Sequence, residues 1–263
     1  MGVQPQVIWI TGASSGIGAA LALHLSTLGH YLILSARNKE SLTAILGQCA
    51  HSDRVAVLPM DLGQWQGMPQ IAAAGLSFFG HVDVLINNAG LSQRSRIYET
   101  EMDVYAQLME VNYLGTVALT KALLPHWLER KQGQVVTVTS LMGRFGSPLR
   151  SGYCGAKHAL HGFFDVLRME HQQDGLQVTL VCPGFVNTNI ARNAVTGDGS
   201  AQGYQDAATA SGMDPNRFAE KMWLAVCAGK FEVYLGGREI MGIYLKRFFP
   251  KLLHRLVLKS QVV

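Results

Sequence analysis

Tyr153 and Lys157 stand four residues apart in the stretch RSGYCGAKHAL, residues 150–160, with only small residues between them. On an α-helix this spacing places both side chains on one face, with their β-carbons about 5–6 Å apart. A tyrosine with a pKa of about 10 exchanges protons poorly at neutral pH, and a neighbouring positive charge favours its phenolate. The pair therefore predicts a tyrosine that donates or accepts a proton, with the lysine lowering its pKa. The alternative is a helix that merely exposes both residues, because Tyr-x-x-x-Lys is a short motif.

Two further polar residues are candidates for the same site. Ser140 ends the apolar run QVVTVTS, residues 134–140, and ligands of open α/β sheets bind beyond the carboxyl ends of strands. Asn112 lies in the helical stretch MEVNYLGTV, residues 109–117, where an amide without hydrogen bonds would cost stability. Asn112 is therefore either a member of a structural network or part of a proton path.

A glycine-rich turn follows the first apolar run, where VIWI leads into TGASSGIG, residues 11–18, and then into a helical pattern. The N-terminus of a helix attracts phosphate through its free N–H groups and its dipole, and glycine lets the backbone approach a pyrophosphate. The spacing is G-x-x-x-G-x-G, and the lysine of a P-loop is absent. The turn predicts a dinucleotide site made by six residues: Gly12, Ser14, Ser15, Gly16, Ile17 and Gly18.

The second apolar run ends in LILSARN, and its last residues bear on the choice of cofactor. NAD enzymes tend to carry a carboxylate here that binds the ribose 2′-hydroxyl, whereas an arginine suits a 2′-phosphate. This chain has Ala36 followed by Arg37, so nothing repels a phosphate and a guanidinium is present to bind it. We expect NADP(H). The alternative is that Arg37 is an ordinary solvated surface residue.

The apolar runs indicate the scaffold that holds these residues. Seven short runs alternate with stretches of helical periodicity such as 17–28, 41–50, 101–130 and 153–173; the runs are 7–11, 31–36, 54–60, 82–87, 134–140, 176–183 and 231–235. Strands that are apolar throughout are typical of a parallel sheet covered on both faces. The sequence therefore predicts an α/β class with a doubly wound, seven-stranded parallel sheet, in one domain.

The composition and the charge distribution exclude several classes of function and location. The 263 residues are 48% apolar and 15% charged, and most of the net charge of +4 comes from six Lys and Arg after position 237. A nearly neutral body argues against nucleic acid as the partner. The four cysteines form no C-x-x-C pair, so we predict no metal site and a reducing, cytoplasmic location. The opening MGVQPQ lacks the features of a secretory signal, and no apolar run reaches the roughly 18 residues of a transmembrane helix.

Taken together, these motifs resemble the classical short-chain dehydrogenase/reductases over roughly residues 6–235. The matching elements are Thr11-Gly12 with Gly16 and Gly18, Asp61 in MDL, NNAG at 87–90, Asn112, Ser140, Tyr153 with Lys157, and PGFVNT at 183–188. The resemblance implies a Rossmann fold, a nicotinamide cofactor and oxidoreductase activity at the carboxyl edge of the sheet.

The resemblance also implies a role for each matching residue. Tyr153 protonates the substrate oxygen, Ser140 holds that oxygen, Lys157 binds the nicotinamide ribose, and Asn112 positions a water. The remaining cofactor contacts it implies are Asp61, Leu62, Asn87, Asn88, Ala89, Gly90, Pro183, Gly184, Val186 and Thr188.

Two regions depart from the common family pattern. Residues 190–214 form a long Gly-, Ala- and Ser-rich stretch, which we predict to be a substrate loop within a catalytic domain of residues 1–238. Residues 239–263 are predicted as a C-terminal helical extension whose basic residues Lys251, Arg255 and Lys259 share one face. Such an amphipathic helix lies on an anionic membrane or packs on its own subunit or a dimer partner, covering the substrate cleft. The extension resembles the lipid and steroid branch of the family, including the 11-beta-hydroxysteroid dehydrogenases and dehydrogenase/reductase member seven.

We therefore expect an NADPH-dependent reductase of apolar ketones or aldehydes, or the reverse alcohol oxidation, in a homodimer or homotetramer. One alternative is an NADP(H)-binding redox sensor without turnover, although a sensor needs no proton donor. Another is an extended-type epimerase or dehydratase, although the glycine spacing and the absence of a further substrate domain argue against it.

Overall fold

The computed structural model describes residues 4–259, which form one parallel sheet covered by helices on both faces. The strands are β1 (Val7–Thr11), β2 (Tyr31–Ser35), β3 (Val55–Val57), β4 (Val84–Asn87), β5 (Gly133–Val138), β6 (Leu176–Pro183) and β7 (Glu232–Leu235). The helices are α1 (Gly16–Thr27), α2 (Lys39–Leu46), α3 (Met68–Phe79), α4 (Met102–Met109), α5 (Gly115–Arg130), α6 (Ser151–His171), α7 (Ala207–Ala210), α8 (Pro215–Cys227), α9 (Met241–Phe248) and α10 (Pro250–Lys259). The strand order is β3-β2-β1-β4-β5-β6-β7, and every pairing is parallel.

Burial on both faces explains why the strands are apolar throughout. Helices α1, α2 and α8 cover one face, with Leu21 and Phe218 completely buried there. Helices α3, α5 and α6 cover the other, with Trp127 and Phe164 at its centre. A doubly wound sheet of this kind buries nearly every strand residue. The predicted fold class, with seven parallel strands in one domain, is confirmed.

The long helix predicted over 101–130 is interrupted. Between α4 and α5 the chain forms a π-helical turn, Glu110–Leu114, with Asn112 at its middle. The side chain of Asn112 donates from Nδ2 to the carbonyl of Leu108, four residues back, at 3.0 Å. A side chain that takes an intrahelical carbonyl competes with the backbone ladder, and a single widened turn accommodates it.

The carboxyl edge of the sheet is where a site can form. Strand order reverses direction between β1 and β4, which leaves a crevice beyond their carboxyl ends. Thr11 and Asn87 end these two strands, and Val138 and Pro183 end β5 and β6 at the same edge. Residues 190–214 fold over this edge as an ordered segment that contains α7 and forms isolated bridges, including Gln93 with Val195.

The two C-terminal helices pack beside the carboxyl edge. Leu253 of α10 is buried with Leu141 and Phe145, and Gly242 of α9 approaches the ring of Phe145 closely. Among the helices of residues 4–259, none combines the length and apolarity that a membrane crossing requires. The predicted boundary after residue 238 falls in the turn Arg238–Ile240, and this domain division stays a prediction. Residues 1–3 and 260–263 of the predicted domains lie outside the described residues.

Candidate active site

A single cleft of about 920 Å³ runs along the carboxyl edge of the sheet, from the glycine turn after β1 to the C-terminal helices. Its volume is in the range of sites that enclose a small molecule or a cofactor. Its walls include the turns after β1 and β2, the NNAG turn after β4, the start of α6, and the segment after β6. These are the segments in which the sequence placed its candidate residues.

The glycine turn is shaped to receive a phosphate. Gly12 and Gly16 adopt positive φ angles of 68° and 55°, which favour glycine. Ser15, the N-cap of α1, makes no side-chain cap bond, and the first turn carries no acidic residue. The first N–H groups of α1 are therefore available to an anion. A β-carbon on Gly18 would collide with the carbonyl of Gly12, so Gly18 lets the helix pack against the turn.

The NNAG turn is fastened to the glycine turn by one hydroxyl. Thr11 Oγ1 accepts hydrogen bonds from the backbone nitrogens of Asn88 and Ala89, both at 3.0 Å. In return, Asn88 donates from Nδ2 to the carbonyl of Thr11 at 3.0 Å. These bonds hold two walls of the cleft at a fixed separation.

The end of the cleft that follows β2 carries an exposed cation, the guanidinium group of Arg37. Arg37 lines the cleft directly after β2 and makes no hydrogen bond or ion pair within residues 4–259. Asp61 and Leu62 line the same end, where Asp61 Oδ1 accepts the backbone N–H of Gly63 at 2.9 Å. The glycine turn and the unpaired guanidinium together fit the phosphates of a dinucleotide.

Tyr153 and Ser140 meet at the centre of the cleft. The Ser140 hydroxyl lies close enough to the Tyr153 hydroxyl to oppose the rise in its pKa that burial causes, and Ser140 Oγ accepts the backbone N–H of Met142 at 3.1 Å. Ser140 reaches this point because it follows β5, whereas Tyr153 lies in the first turn of α6. A carbonyl oxygen placed between the two hydroxyls would accept hydrogen bonds from both.

Lys157 lies one turn further along α6. Its side chain is almost completely buried, and Nζ donates to the carbonyl of Val138 at 3.0 Å while lying 5.8 Å from the centre of the Tyr153 ring. Burial lowers the pKa of Lys157 to about 8. The shared helix face predicted from the four-residue spacing is therefore present.

The protonation of Tyr153 follows a different balance from the one the spacing suggested. Burial raises the pKa of its hydroxyl, the neighbouring Ser140 hydroxyl and the charges of Arg94 and Arg150 oppose that rise, and Cys154 adds to it. Lys157 directs its ammonium group to a backbone carbonyl. The cations that oppose the rise in the pKa of Tyr153 are thus Arg94 and Arg150, which the sequence analysis did not single out.

Asn112 lies behind the cleft wall. Its Nδ2 donates to the carbonyls of Leu91 and Leu108, at 2.9 and 3.0 Å, and its Oδ1 accepts the backbone N–H of Leu91 at 2.9 Å. A β-carbon on Gly90 would lie 2.9 Å from Asn112 Oδ1 and 3.3 Å from Lys157 Nζ, so this glycine allows both groups to approach.

The comparisons with known proteins agree with this geometry. The family profile described as short chain dehydrogenase matches residues 6–199. Dehydrogenase/reductase SDR family member 7B from Bos taurus is 41% identical over 97% of this chain and 81% of its own length. Dehydrogenase/reductase SDR family member 7 from Homo sapiens is 41% identical over 93% of this chain and 74% of its own. The chain belongs to the short-chain dehydrogenase family.

Solved structures give the same result for this short-chain dehydrogenase. A short-chain dehydrogenase from Streptomyces avermitilis superposes with a TM-score of 0.83 at 28% identity, and each chain is covered completely. An alcohol dehydrogenase from Thermococcus sibiricus, complexed with 5-hydroxy-NADP, superposes with a TM-score of 0.76 at 26% identity over 89% of this chain and 97% of that one. The predicted resemblance to the family is confirmed. The predictions that the protein is an oxidoreductase, that it uses a nicotinamide cofactor and that its substrate is a small molecule are confirmed with it.

Most of the predicted site residues of this short-chain dehydrogenase line the cleft. They are Gly12, Ser14, Ser15, Gly16, Ile17, Arg37, Asp61, Leu62, Asn88, Ala89, Gly90, Ser140, Tyr153, Lys157, Pro183, Gly184, Val186 and Thr188. Three predicted residues do not line it: Gly18, Asn87 and Asn112. Asn87 is buried and donates from Nδ2 to Thr120 Oγ1 at 3.0 Å, so it supports the NNAG turn from behind.

The short-chain dehydrogenase also has site residues that the sequence analysis missed. Glu239 accepts the backbone N–H groups of Phe185 and Gly237 at Oε1, at 3.2 and 2.9 Å, and so joins the C-terminal extension to the segment after β6. Gln93, Arg94 and Arg150 lie beside Tyr153. The signal for Gln93 and Arg94 was their position directly after NNAG, within LSQRSR, since polar residues there follow the carboxyl end of β4.

Proposed function

We propose that this protein is an NADP(H)-dependent oxidoreductase that reduces the carbonyl of an apolar ketone or aldehyde, or oxidises the corresponding alcohol. The observation that carries this proposal is that the neighbouring hydroxyls of Tyr153 and Ser140 line the same cleft as the buried Lys157. Two hydroxyl donors that converge on one point suit a substrate oxygen on which charge develops.

In the proposed reduction, Ser140 and Tyr153 hold the carbonyl oxygen, and Tyr153 gives it the hydroxyl proton. A bound nicotinamide cofactor supplies the hydride to the carbonyl carbon. Lys157 would bind the ribose of a bound cofactor and would stabilise the tyrosinate that remains. Oxidation of an alcohol uses the same groups in reverse, with Tyr153 accepting the proton.

Asn112 serves this reaction as a positioning residue. Both of its N–H groups are donated to carbonyls, and Oδ1 has one acceptor position left. Asn112 Oδ1 and Lys157 Nζ both lie close to Gly90. A water held there would pass a proton toward the lysine and the tyrosine, which is the role the family resemblance implies for this residue.

The proposed preference for NADP(H) over NAD(H) rests on the two residues that follow β2, Ala36 and Arg37. Ala36 offers no carboxylate, and the unpaired guanidinium of Arg37 lines the cleft. A 2′-phosphate at this point gains a charge-assisted hydrogen bond, whereas a 2′-hydroxyl gains little from a cation.

An apolar substrate is proposed because apolar side chains form the wall beyond Tyr153. The contributing residues are Phe145, Phe185, Met241, Leu245, Leu253, Leu256 and Val257. The last five belong to the two C-terminal helices, α9 and α10, so the extension helps to select what enters. The same helices expose apolar residues beside lysines and arginines, which supports contact with an anionic membrane. We also propose that the protein forms a homodimer or a homotetramer. It would be located in the cytoplasm and would contact a membrane peripherally.

The test is turnover by matched variants. NADPH oxidation is measured with carbonyls ranging from short aldehydes to long-chain ketones, steroids and 3-oxoacyl thioesters, for the wild type and Tyr153→Phe. We expect turnover of apolar ketones that is lost in the variant, while NADPH binding is kept. Tyr98→Phe, at an exposed tyrosine outside the cleft, is the control. Tight NADPH binding without turnover of any carbonyl would instead favour a redox sensor.

A further inference from the structure

The segment 190–214 lies between β6 and α8 and forms part of the cleft wall. Four of its residues line the cleft: Ile190, Asn193, Ala201 and Thr209. The helix within it, α7, is only four residues long. A segment with so little regular structure of its own keeps its position through the contacts that it makes with its neighbours.

The stretch that follows the NNAG turn, residues 91–101, is the neighbour that holds this segment. The backbone N–H of Arg94 donates to the carbonyl of Val195 at 2.8 Å, and the backbone N–H of Val195 donates to the carbonyl of Ser92 at 2.9 Å. These two bonds fix the register of the two stretches. A hydrogen bond between neutral groups contributes little net free energy, because both groups bond to water when they separate.

A buried ion pair joins the same two stretches. Arg94 donates from Nη2 to Asp206 Oδ2 at 2.6 Å, across a separation of 112 residues in the chain, and the two side chains are 7% and 3% exposed. Asp206 also caps α7, because its Oδ1 accepts the backbone N–H of Thr209 at 2.7 Å. One carboxylate therefore connects Arg94 to a residue of the cleft wall.

Further hydrogen bonds hold both partners of the ion pair in place. Arg94 Nη1 donates to Ser92 Oγ at 2.9 Å and to the carbonyl of Gln93 at 2.8 Å. Burial by itself would raise the pKa of Asp206, but hydrogen bonds from Arg94 and Thr209 keep that pKa below its ordinary value, so the carboxylate is charged at pH 7. Replacing one partner of such a pair leaves the other charge buried without its best partner, which is strongly unfavourable.

We propose that Arg94 and Asp206 are positioning residues, whose ion pair holds the segment 190–214 in the place where it completes the cleft wall. Without this pair the segment leaves that place in a fraction of the molecules. Substrate affinity then falls in proportion to the fraction that is still in place, whereas the reaction of bound substrate changes little. The effect on turnover rests on the proposed function, but the effect on the segment does not.

Hydrogen exchange of the full chain, followed by mass spectrometry, measures the position of the segment without any substrate. In Arg94→Met we expect the amides of the segment to exchange roughly ten- to a hundredfold faster, while those of the sheet and of α5 keep their protection. Asp206→Asn should give the same pattern, because it removes the charge but keeps an oxygen for the N–H of Thr209. Arg192→Met, at an exposed arginine of the same segment, is the matched control and should exchange as the wild type does.

Two further variants test whether the two side chains act together. Arg94→Met combined with Asp206→Asn should accelerate exchange much less than the product of the two single effects. If Arg94→Met fails to fold, Arg94→Lys, which keeps the charge, should exchange at a rate between those of the wild type and Asp206→Asn. Unchanged exchange of the segment in folded single variants, equal acceleration throughout the chain, or single effects that simply multiply would each overturn the proposal.

Steady-state kinetics distinguishes this proposal from the proposed function. If both are correct, KM for the carbonyl substrate rises roughly tenfold or more in Arg94→Met, while kcat changes by less than about threefold. If the segment exchanges faster in the variants but the wild type turns over no carbonyl, the ion pair holds the segment and the proposed function fails. If the wild type turns over a carbonyl and the variants exchange as it does, the proposed function stands and the ion pair does not hold the segment. Faster exchange with an unchanged KM would overturn the positioning role.

Discussion

The amide oxygen of Gln93 accepts the backbone N–H of Gly152 at 2.7 Å, across a separation of 59 residues in the chain. It also accepts the backbone N–H of Tyr153 at 3.3 Å, so one side chain satisfies two donors in the first turn of α6. The amide nitrogen of Gln93 donates to Ser95 Oγ and Thr100 Oγ1, at 3.0 and 3.2 Å. This completely buried glutamine therefore sets where α6, and with it Tyr153, begins.

Replacing Gln93 by leucine should lower both stability and turnover. The substitution keeps the volume roughly constant but leaves the N–H groups of Gly152 and Tyr153 buried without a partner. Each such group costs about 1–3 kcal/mol, so we expect the free energy of unfolding in urea to fall by roughly 2–4 kcal/mol. Gln177→Leu, at an exposed glutamine of β6, is the matched control. A change of less than about 0.5 kcal/mol in Gln93→Leu would contradict the role assigned to this residue.

The sequence was sufficient to predict the sheet and most of the cleft wall, because both depend on local pattern. Continuous apolar runs identify buried strands, and the turns that follow those strands, including the one with Gly12 and Gly16, must meet at one edge. The cluster around Tyr153 was missed because its members are ordinary polar residues on their own. Arg94 and Asp206 are 112 residues apart and become a pair only when the segment 190–214 folds back over the edge. The π-helical turn at Asn112 likewise depends on a tertiary partner, Leu91.

Arg37→Ala should weaken NADPH binding far more than NADH binding. The guanidinium lines the cleft without another partner, so its removal costs only the contact with the 2′-phosphate. Hydrogen bonds to charged groups contribute about 1.5–3 kcal/mol, which corresponds to a loss of roughly ten- to a hundredfold in NADPH affinity. Fluorescence titration of both cofactors measures the two affinities, and Arg37→Lys is expected to recover part of the loss. An equal loss for both cofactors would mean that Arg37 does not read the 2′ position.

Lys157→Met should stabilise the free protein near neutral pH while it reduces turnover. Burial lowers the pKa of Lys157 from its ordinary 10.5 to about 8, so between these values the folded protein binds fewer protons than the unfolded chain. The free energy of unfolding of the wild type therefore rises with pH across this window, and below it the buried charge carries its full cost, on the order of 3 kcal/mol. Loss of the hydrogen bond to the Val138 carbonyl offsets about 1 kcal/mol of the gain.

Urea unfolding at about pH 7 and about pH 9.5 tests the predicted direction of this pH dependence of the free energy of unfolding. The stability advantage of Lys157→Met over the wild type should be about 2 kcal/mol at the lower pH and should shrink at the higher one. Lys121→Met, at an exposed lysine of α5, is the control and should show no such dependence. An advantage that stays constant or grows with pH would show that Lys157 is not held at a lowered pKa in the free protein.

The exposed face of the C-terminal helices should bind anionic vesicles. Met241, Tyr244 and Phe248 follow an i, i+3, i+7 pattern on α9, and Phe249, Leu252 and Leu256 repeat it from the end of α9 through α10; each is 46% exposed or more. Five lysines and arginines and no acidic residue lie between positions 240 and 259. Two copies joined symmetrically through this face would bring like charges together, whereas an anionic bilayer accepts both the apolar and the basic residues.

Co-sedimentation with vesicles of phosphatidylcholine and phosphatidylserine measures this contact. Replacing Phe248 and Phe249 together by serine should abolish binding, and each of Lys246→Gln and Lys251→Gln should weaken it roughly fivefold. Phe78→Ser, at a phenylalanine of α3 that is 44% exposed, is the matched control and should bind as the wild type does. Because the inner residues Leu253 and Val257 stay packed beside the cleft, turnover of a water-soluble ketone should survive in the serine variant. Binding that persists in the serine variant, or that is equal on vesicles without phosphatidylserine, would contradict the predicted membrane contact. It would instead favour a protein partner for the exposed face.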